Sequence, residues 1–152
     1  MIFSSYSRKA IHKGELLYIG QEYSLYFSLP CPNIDVGIAF GESTELGVVL
    51  ELNEIVNING YSPKSSWIRQ HLNFPNSRKG CLLVNFERKP NKGECLSLDP
   101  HCLTYYDEKA GFICIGDYRL EDSDDSVEFA DNIIAVVREG KLVAVWAKIR
   151  ET

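Results

Sequence analysis

Apolar residues along this chain recur mostly in short runs with a period of two, which is the signature of strands rather than helices. Glu15–Ile19 and Tyr23–Leu29 form a first such pair around GQE and read as a hairpin. Pro30 and Pro32 flank Cys31 and stop the second strand, because proline has no N–H to give to a ladder. Asp35–Phe40, Leu46–Leu52 and Glu54–Ile58 follow, with a turn assigned to Asn59-Gly60. Strands resume at Cys81–Glu87, Glu94–Leu98, Cys102–Tyr106 and Gly111–Ile115, the last two flanking the loop DEKA. Ile133–Arg138 and Lys141–Ile149 around Glu139-Gly140 give the clearest hairpin. In KLVAVWAKI, Val143, Val145, Ala147 and Ile149 alternate with Leu142, Ala144 and Trp146. Both faces are apolar, so this strand is expected to be central and covered on both sides.

The spacing also predicts one main helix. Ser62 suits the N-cap, Pro63 the first helical position, and KSSWIRQHL carries on to Leu72. Trp67, Ile68, His71 and Leu72 then share a stripe. Tyr6–His12 is a second, weaker helical segment. The expected fold is therefore α+β: a mainly antiparallel sheet of about ten short strands with one or two helices packed on it, in a single globular domain over residues 1–152.

Composition sharpens this picture at three points. The apolar fraction of 45% and charged fraction of 24% suit a folded core. The longest apolar run, Leu142–Ala147, is far too short to cross a membrane, and the start MIFSSYSRKAIHKGE lacks the apolar stretch of a secretory signal. A cytoplasmic protein is expected. Its five cysteines, Cys31, Cys81, Cys95, Cys102 and Cys114, then read as reduced and mostly buried small apolar residues.

Charge is uneven. Residues 1–116 hold 12 acids and 11 bases, whereas residues 117–152 hold 9 acids and 5 bases. LEDSDDSVEFAD carries six acids and no base, and from Asp117 to Asp131 as a whole seven acids face the single base Arg119. A nucleic-acid or anionic-membrane partner is disfavoured, and a cationic partner is favoured. The EF-hand order is not met in this stretch. Two readings remain: a solvated loop that blunts a strand edge, or a recognition surface in which carboxylates pair with the Arg and Lys of a partner. On the second reading the partner-binding residues are Tyr118, Glu121, Asp122, Asp124, Asp125 and Glu128.

Catalytic signatures are weak. G-x-S-x-G, G-x-x-x-x-G-K-[ST] and G-x-G-x-x-G are all missing from the sequence. Cys95, His101 and Cys102 lack the paired spacing of a zinc site. Cys31 in LPCPN, His101 and His71 beside Arg69 are the residues from which a site in a sheet cleft can be built. That alternative is an enzyme or small-molecule-binding protein. No cofactor or metal is expected.

The stretch GFICIGDYRLEDSDDSVEFADNIIAVVREGKLVAVWAKI, roughly a quarter of the chain, resembles the carboxyl-terminal ends of the small acidic immunity proteins that bacteria encode beside contact-dependent and other polymorphic toxins. The resemblance implies a non-enzymatic inhibitor. Its partner is then a cognate protein toxin with a basic surface, often a nuclease, whose active site or a neighbouring surface is blocked.

Overall fold

The computed structural model describes residues 1–28 and 33–152. It corrects the α+β expectation. The protein is nearly all β, with 55% of residues in strands and 2% in helix, and 14 strands joined in one mixed sheet system. In chain order the strands are β1 (Ile2–Ser7), β2 (Leu16–Ile19), β3 (Ser24–Phe27), β4 (Val36–Phe40), β5 (Thr44–Val49), β6 (Glu54–Tyr61) and β7 (Ile68–Arg69). They continue as β8 (Arg78–Asn85), β9 (Cys95–Asp99), β10 (Thr104–Asp107), β11 (Phe112–Gly116), β12 (Asp125–Ala130), β13 (Ile133–Arg138) and β14 (Lys141–Glu151).

The predicted helix over residues 62–72 is replaced by a single 3₁₀ turn, Lys64–Ser66, followed by β7. Packing overrides the capping signal here. The Ser62 hydroxyl does not cap; it accepts a hydrogen bond from Trp67 Nε1 at 2.8 Å. The Trp67 ring is buried between Tyr18 and Tyr106, with centroids 5.0 and 5.2 Å away. Pro63 and Trp67 both have extended backbones, with ψ of 128° and 144°. Trp67 and Leu72 are buried while Ile68 and His71 are exposed, so the four share no stripe. The second helical segment fails as well. Tyr6 lies in β1 opposite Cys81, and His12 forms a bridge to Ala130.

The strand hydrogen bonds close a circuit. β14 pairs with β13, β13 with β12, β12 with β8, β8 with β6, β6 with β3, β3 with β2, and β2 returns to β14. β14 turns the corner. Its residues up to Ala147 pair with β13, and Ile149–Glu151 pair with β2. β8 turns another, with Arg78 and Lys79 against β12 and Leu82 and Leu83 against β6. Strands that change partners along their length are how two packed layers meet at corners. β1 extends the system beyond β8, β5-β4-β9 extends it beyond β6, and β11-β10-β7 extends it beyond β14.

Inside the circuit lies the main core, which includes Phe3, Leu25, Ile38, Ile58, Leu82, Phe129 and Val145. A second cluster covers the outer face of β11, β13 and β14 and contains Cys114, Ile134, Val136, Ala144 and Trp146. β14 is thus central and apolar on both sides. Its outer cover is neither a helix nor another sheet layer, but the extended segment carrying Leu72 and Phe74. The sequence alternation is broken once. The register shifts between Val136 and Val137, opposite residues 142–144. That bulge sends Leu142 to the main core with Val145 and Ala147, and Val143 to the outer cluster with Ala144 and Trp146.

Candidate protein-binding surface

Half of the acidic stretch is strand. β12 begins at Asp125, with Val127 and Phe129 directed into the core and Asp125, Ser126 and Glu128 less buried. The period of two was present in DSVEFA; its charges made it read as loop. The remaining segment, residues 117–124, leaves β11 at Gly116 (φ +104°), where a side chain would strike the Val143 carbonyl.

One cation organises this segment. Arg138, at the end of β13, donates from Nε to Asp124 Oδ1 at 2.7 Å and from Nη2 to Asp124 Oδ2 at 3.0 Å. Its Nη1 reaches Asp117 Oδ2 at 3.4 Å, Nη2 also donates to the Arg119 carbonyl at 3.1 Å, and Glu121 Oε2 lies 3.3 Å from Nε. Two carboxylates also close local turns: Asp117 accepts from the Arg119 N–H and Asp124 from the Glu121 N–H. The Arg138 bonds hold the Asp124 carboxyl below its usual range, and Asp124 in turn raises Arg138. Burial pushes Asp117 up, but its bonds from Arg119 and Arg138 outweigh this and hold it low. The Asp124 side chain is only 3% exposed.

The six predicted contact residues therefore divide. Asp124 is a buried brace. Asp125 pairs with Arg78 at 3.1 Å and accepts from Ser5, tying β12 to β8 and β1. Glu128 accepts from the Asn132 N–H at 2.8 Å and serves the β12–β13 turn. The half-buried Tyr118 packs its ring edge-on against Tyr105, with centroids 4.7 Å apart. Glu121 and Asp122 face solvent beside Leu120, whose side chain is 44% exposed. Arg138, Arg78 and Lys13, which approaches Asp131, bring three bases to a stretch that supplies one of its own against seven acids. A net negative charge remains, and the exposed Asp122 has no cationic partner among the described residues.

The other candidates do not converge. His71 is 87% exposed along its side chain, with Nδ1 3.5 Å from Asp107. Asp107 is occupied with the N–H groups of Leu72 and Ala110, which lower its pKa. Arg69 pairs with Glu108. His101 and Cys102 lie in the loop before β10 rather than on a strand. Cys31 lies outside the described residues. Cys81 and Cys114 are buried, whereas Cys95 is exposed and Cys102 half-buried. Among the described residues no group of three or more His, Cys, Asp or Glu side chains has metal-binding geometry.

A polar cluster that sequence reasoning missed is centred on Glu54, the first residue of β6. Arg8 Nη1 lies 2.6 Å and His12 Nε2 3.3 Å from its carboxylate, and the Cys81 thiol donates to it at 2.8 Å. Burial alone raises the Glu54 carboxyl, but the bonds from Cys81 and Arg8 outweigh it and hold the group below its usual range. Burial and the nearby carboxylate push the Cys81 thiol up to about 11. A thiol so disposed is not a nucleophile at neutral pH. The cluster joins β1, β6 and β8 and is structural. These residues are 4, 27 and 42 or more positions apart, so no spacing could announce them.

No protein-family model matches the chain, and neither does any curated protein. Among the described residues no helix is long and apolar enough to cross a membrane.

Proposed function

We propose that this chain is a cytoplasmic protein-binding inhibitor, in its most concrete form an immunity protein that neutralises a cognate toxin with a basic surface. The observation that supports this reading is the Arg138-braced segment. It presents an exposed Leu120 beside Glu121 and Asp122 on a backbone already fixed by hydrogen bonds. A preorganised loop loses little conformational entropy on binding. An apolar residue followed by two exposed acids, with the neighbouring Arg119 paired to Asp117, suits a partner that presents Arg and Lys beside an apolar pocket. The role is stoichiometric binding, with no turnover and no cofactor.

The division of the acids selects the test. Reversing Asp124 or Asp125 breaks an internal ion pair and confounds binding with folding. Glu121 also lies 3.3 Å from Arg138 and is better neutralised than reversed, whereas the exposed Asp122 can be reversed with little cost to the fold. The product of the adjoining gene is to be expressed with and without this chain, scoring survival, and the pair titrated in vitro. The double variant Glu121→Gln/Asp122→Lys is expected to associate roughly tenfold more slowly at low salt, with the difference shrinking as salt rises. Arg138→Gln is expected to weaken binding without removing any exposed acid. Unchanged association of the double variant excludes residues 120–122 as the interface. Absence of protection by the wild-type chain overturns the toxin reading.

A further inference from the structure

The chain carries a second feature, independent of the partner-binding reading: a cavity of about 180 Å³ between the loop after β4, the start of the 3₁₀ turn and the loop before β10. Gly60 (φ +141°) lets β6 approach residues 43–44 closely, since a side chain there would strike the Ser43 carbonyl. The Tyr61 N–H donates to that carbonyl at 3.1 Å. Hydroxyl groups crowd the walls. The Thr44 hydroxyl donates to the Phe40 carbonyl and that of Ser66 to the Pro63 carbonyl, while Ser62 accepts from Trp67. Among the described residues this leaves the hydroxyls of Ser43, Tyr61 and Thr104, and the proton of Ser62, to meet an occupant. Tyr61 and Leu103, each 53% exposed, and Pro63 and Pro100 supply apolar surface.

We propose that this cavity binds a small neutral cyclic polyol, a single sugar or inositol ring. Size, polarity and charge each point there. A cavity of about 150 Å³ is known to hold one six-membered carbon ring, so this volume suits one ring with its substituents. Side-chain hydroxyls both donate and accept, as ring hydroxyls do. The ionisable lining groups, Glu42 and His101, are solvent-exposed. A charged ligand would therefore be desolvated without a buried counter-charge, which is costly.

The bond from Trp67 Nε1 to Ser62 makes occupancy visible. In a ¹H–¹⁵N spectrum of the intact protein, the two indole N–H signals can be assigned with Trp146→Phe. Titration with myo-inositol, D-glucose and D-galactose is expected to move the Trp67 signal saturably for at least one of them. The Trp146 signal, in the outer cluster, is expected to stay in place. Ser43→Ala and Thr104→Val are each expected to weaken the apparent affinity roughly tenfold, with Ser43→Ala decisive should Thr104→Val fail to fold. No saturable shift with any of the three polyols overturns the proposal. So does a response only to acetate or ethylammonium, or one that both variants leave unchanged.

Discussion

At the scale of single residues, Glu54 is a buried acid held by partners distant in sequence. It sits buried at the head of β6 and depends on Arg8, His12 and Cys81 from two other segments. Replacing it by glutamine keeps the volume and removes the charge, leaving the Arg8 guanidinium to be hydrated through its exposed edge. Glu54→Gln is expected to cost about 2 kcal/mol at neutral pH, less than for a fully buried pair because Arg8 is part-exposed. The sign of its pH dependence follows from the depressed carboxyl. With the folded value below the ordinary 4.5, the stabilisation is present above 4.5 and is lost as pH falls through the folded value. The stability gap between wild type and Glu54→Gln is thus expected to narrow on acidification. Urea titrations at neutral pH and below 4.5 measure it. A gap independent of pH would show that Glu54 is not ionised by virtue of these partners.

Elements follow the same logic of distant partners. The segment carrying Leu72 and Phe74 has almost no regular structure of its own, yet it seals the outer face of β11, β13 and β14. Phe74 packs at a tilt on Phe112, with centroids 4.9 Å apart, and meets Trp146 edge-on at 6.1 Å, and the Lys148 ammonium lies over its ring. Phe74→Ala is expected to destabilise by about 2 kcal/mol, below the cost of a fully buried phenylalanine since the ring is part-exposed. A denaturation midpoint shifted by less than about 0.5 kcal/mol would mean that the cover is not adherent. This segment also marks where the sequence stopped being legible. Lys141–Ile149 announced a strand covered on both faces, and it is one, because that information is local. What covers it was not local. Ser62 and Pro63 carry a genuine helix-start signal, but Trp67 gains more by burial between Tyr18 and Tyr106 than a short helix containing Ser, Trp, Ile and His can offer. In the acidic segment the carboxylates were readable and their partners were not, since Arg138 and Arg78 lie 14 and 47 residues from the aspartates they hold.

On the scale of the whole molecule the closed pairing circuit sets how the chain must fold. Its joints unite segments far apart in sequence: β14 with β2, β12 with β8, and β8 with β6. The β14–β2 joint brings residues 149–151 to residues 16–18, enclosing nearly the whole chain. Closing such loops costs entropy before any joint contributes stabilisation, and among the described residues no long helix supplies local contacts to offset that cost early. The hairpins β2–β3, β10–β11 and β13–β14 can form first, because short turns link their strands. None of them can bury its apolar face until β8 has met both β6 and β12. Refolding is therefore expected in milliseconds to seconds, as for other proteins dominated by non-local strand pairing. Leu82, fully buried in β8 opposite Ile55, is expected to influence the folding rate when truncated to alanine. Ile134, in the local β13–β14 hairpin, should mainly change the unfolding rate if it packs against the outer cover late. Stopped-flow fluorescence of both variants against wild type measures this contrast. A microsecond folding phase, or equal effects of the two substitutions on folding and unfolding rates, would show that closure of the circuit is not the limiting step.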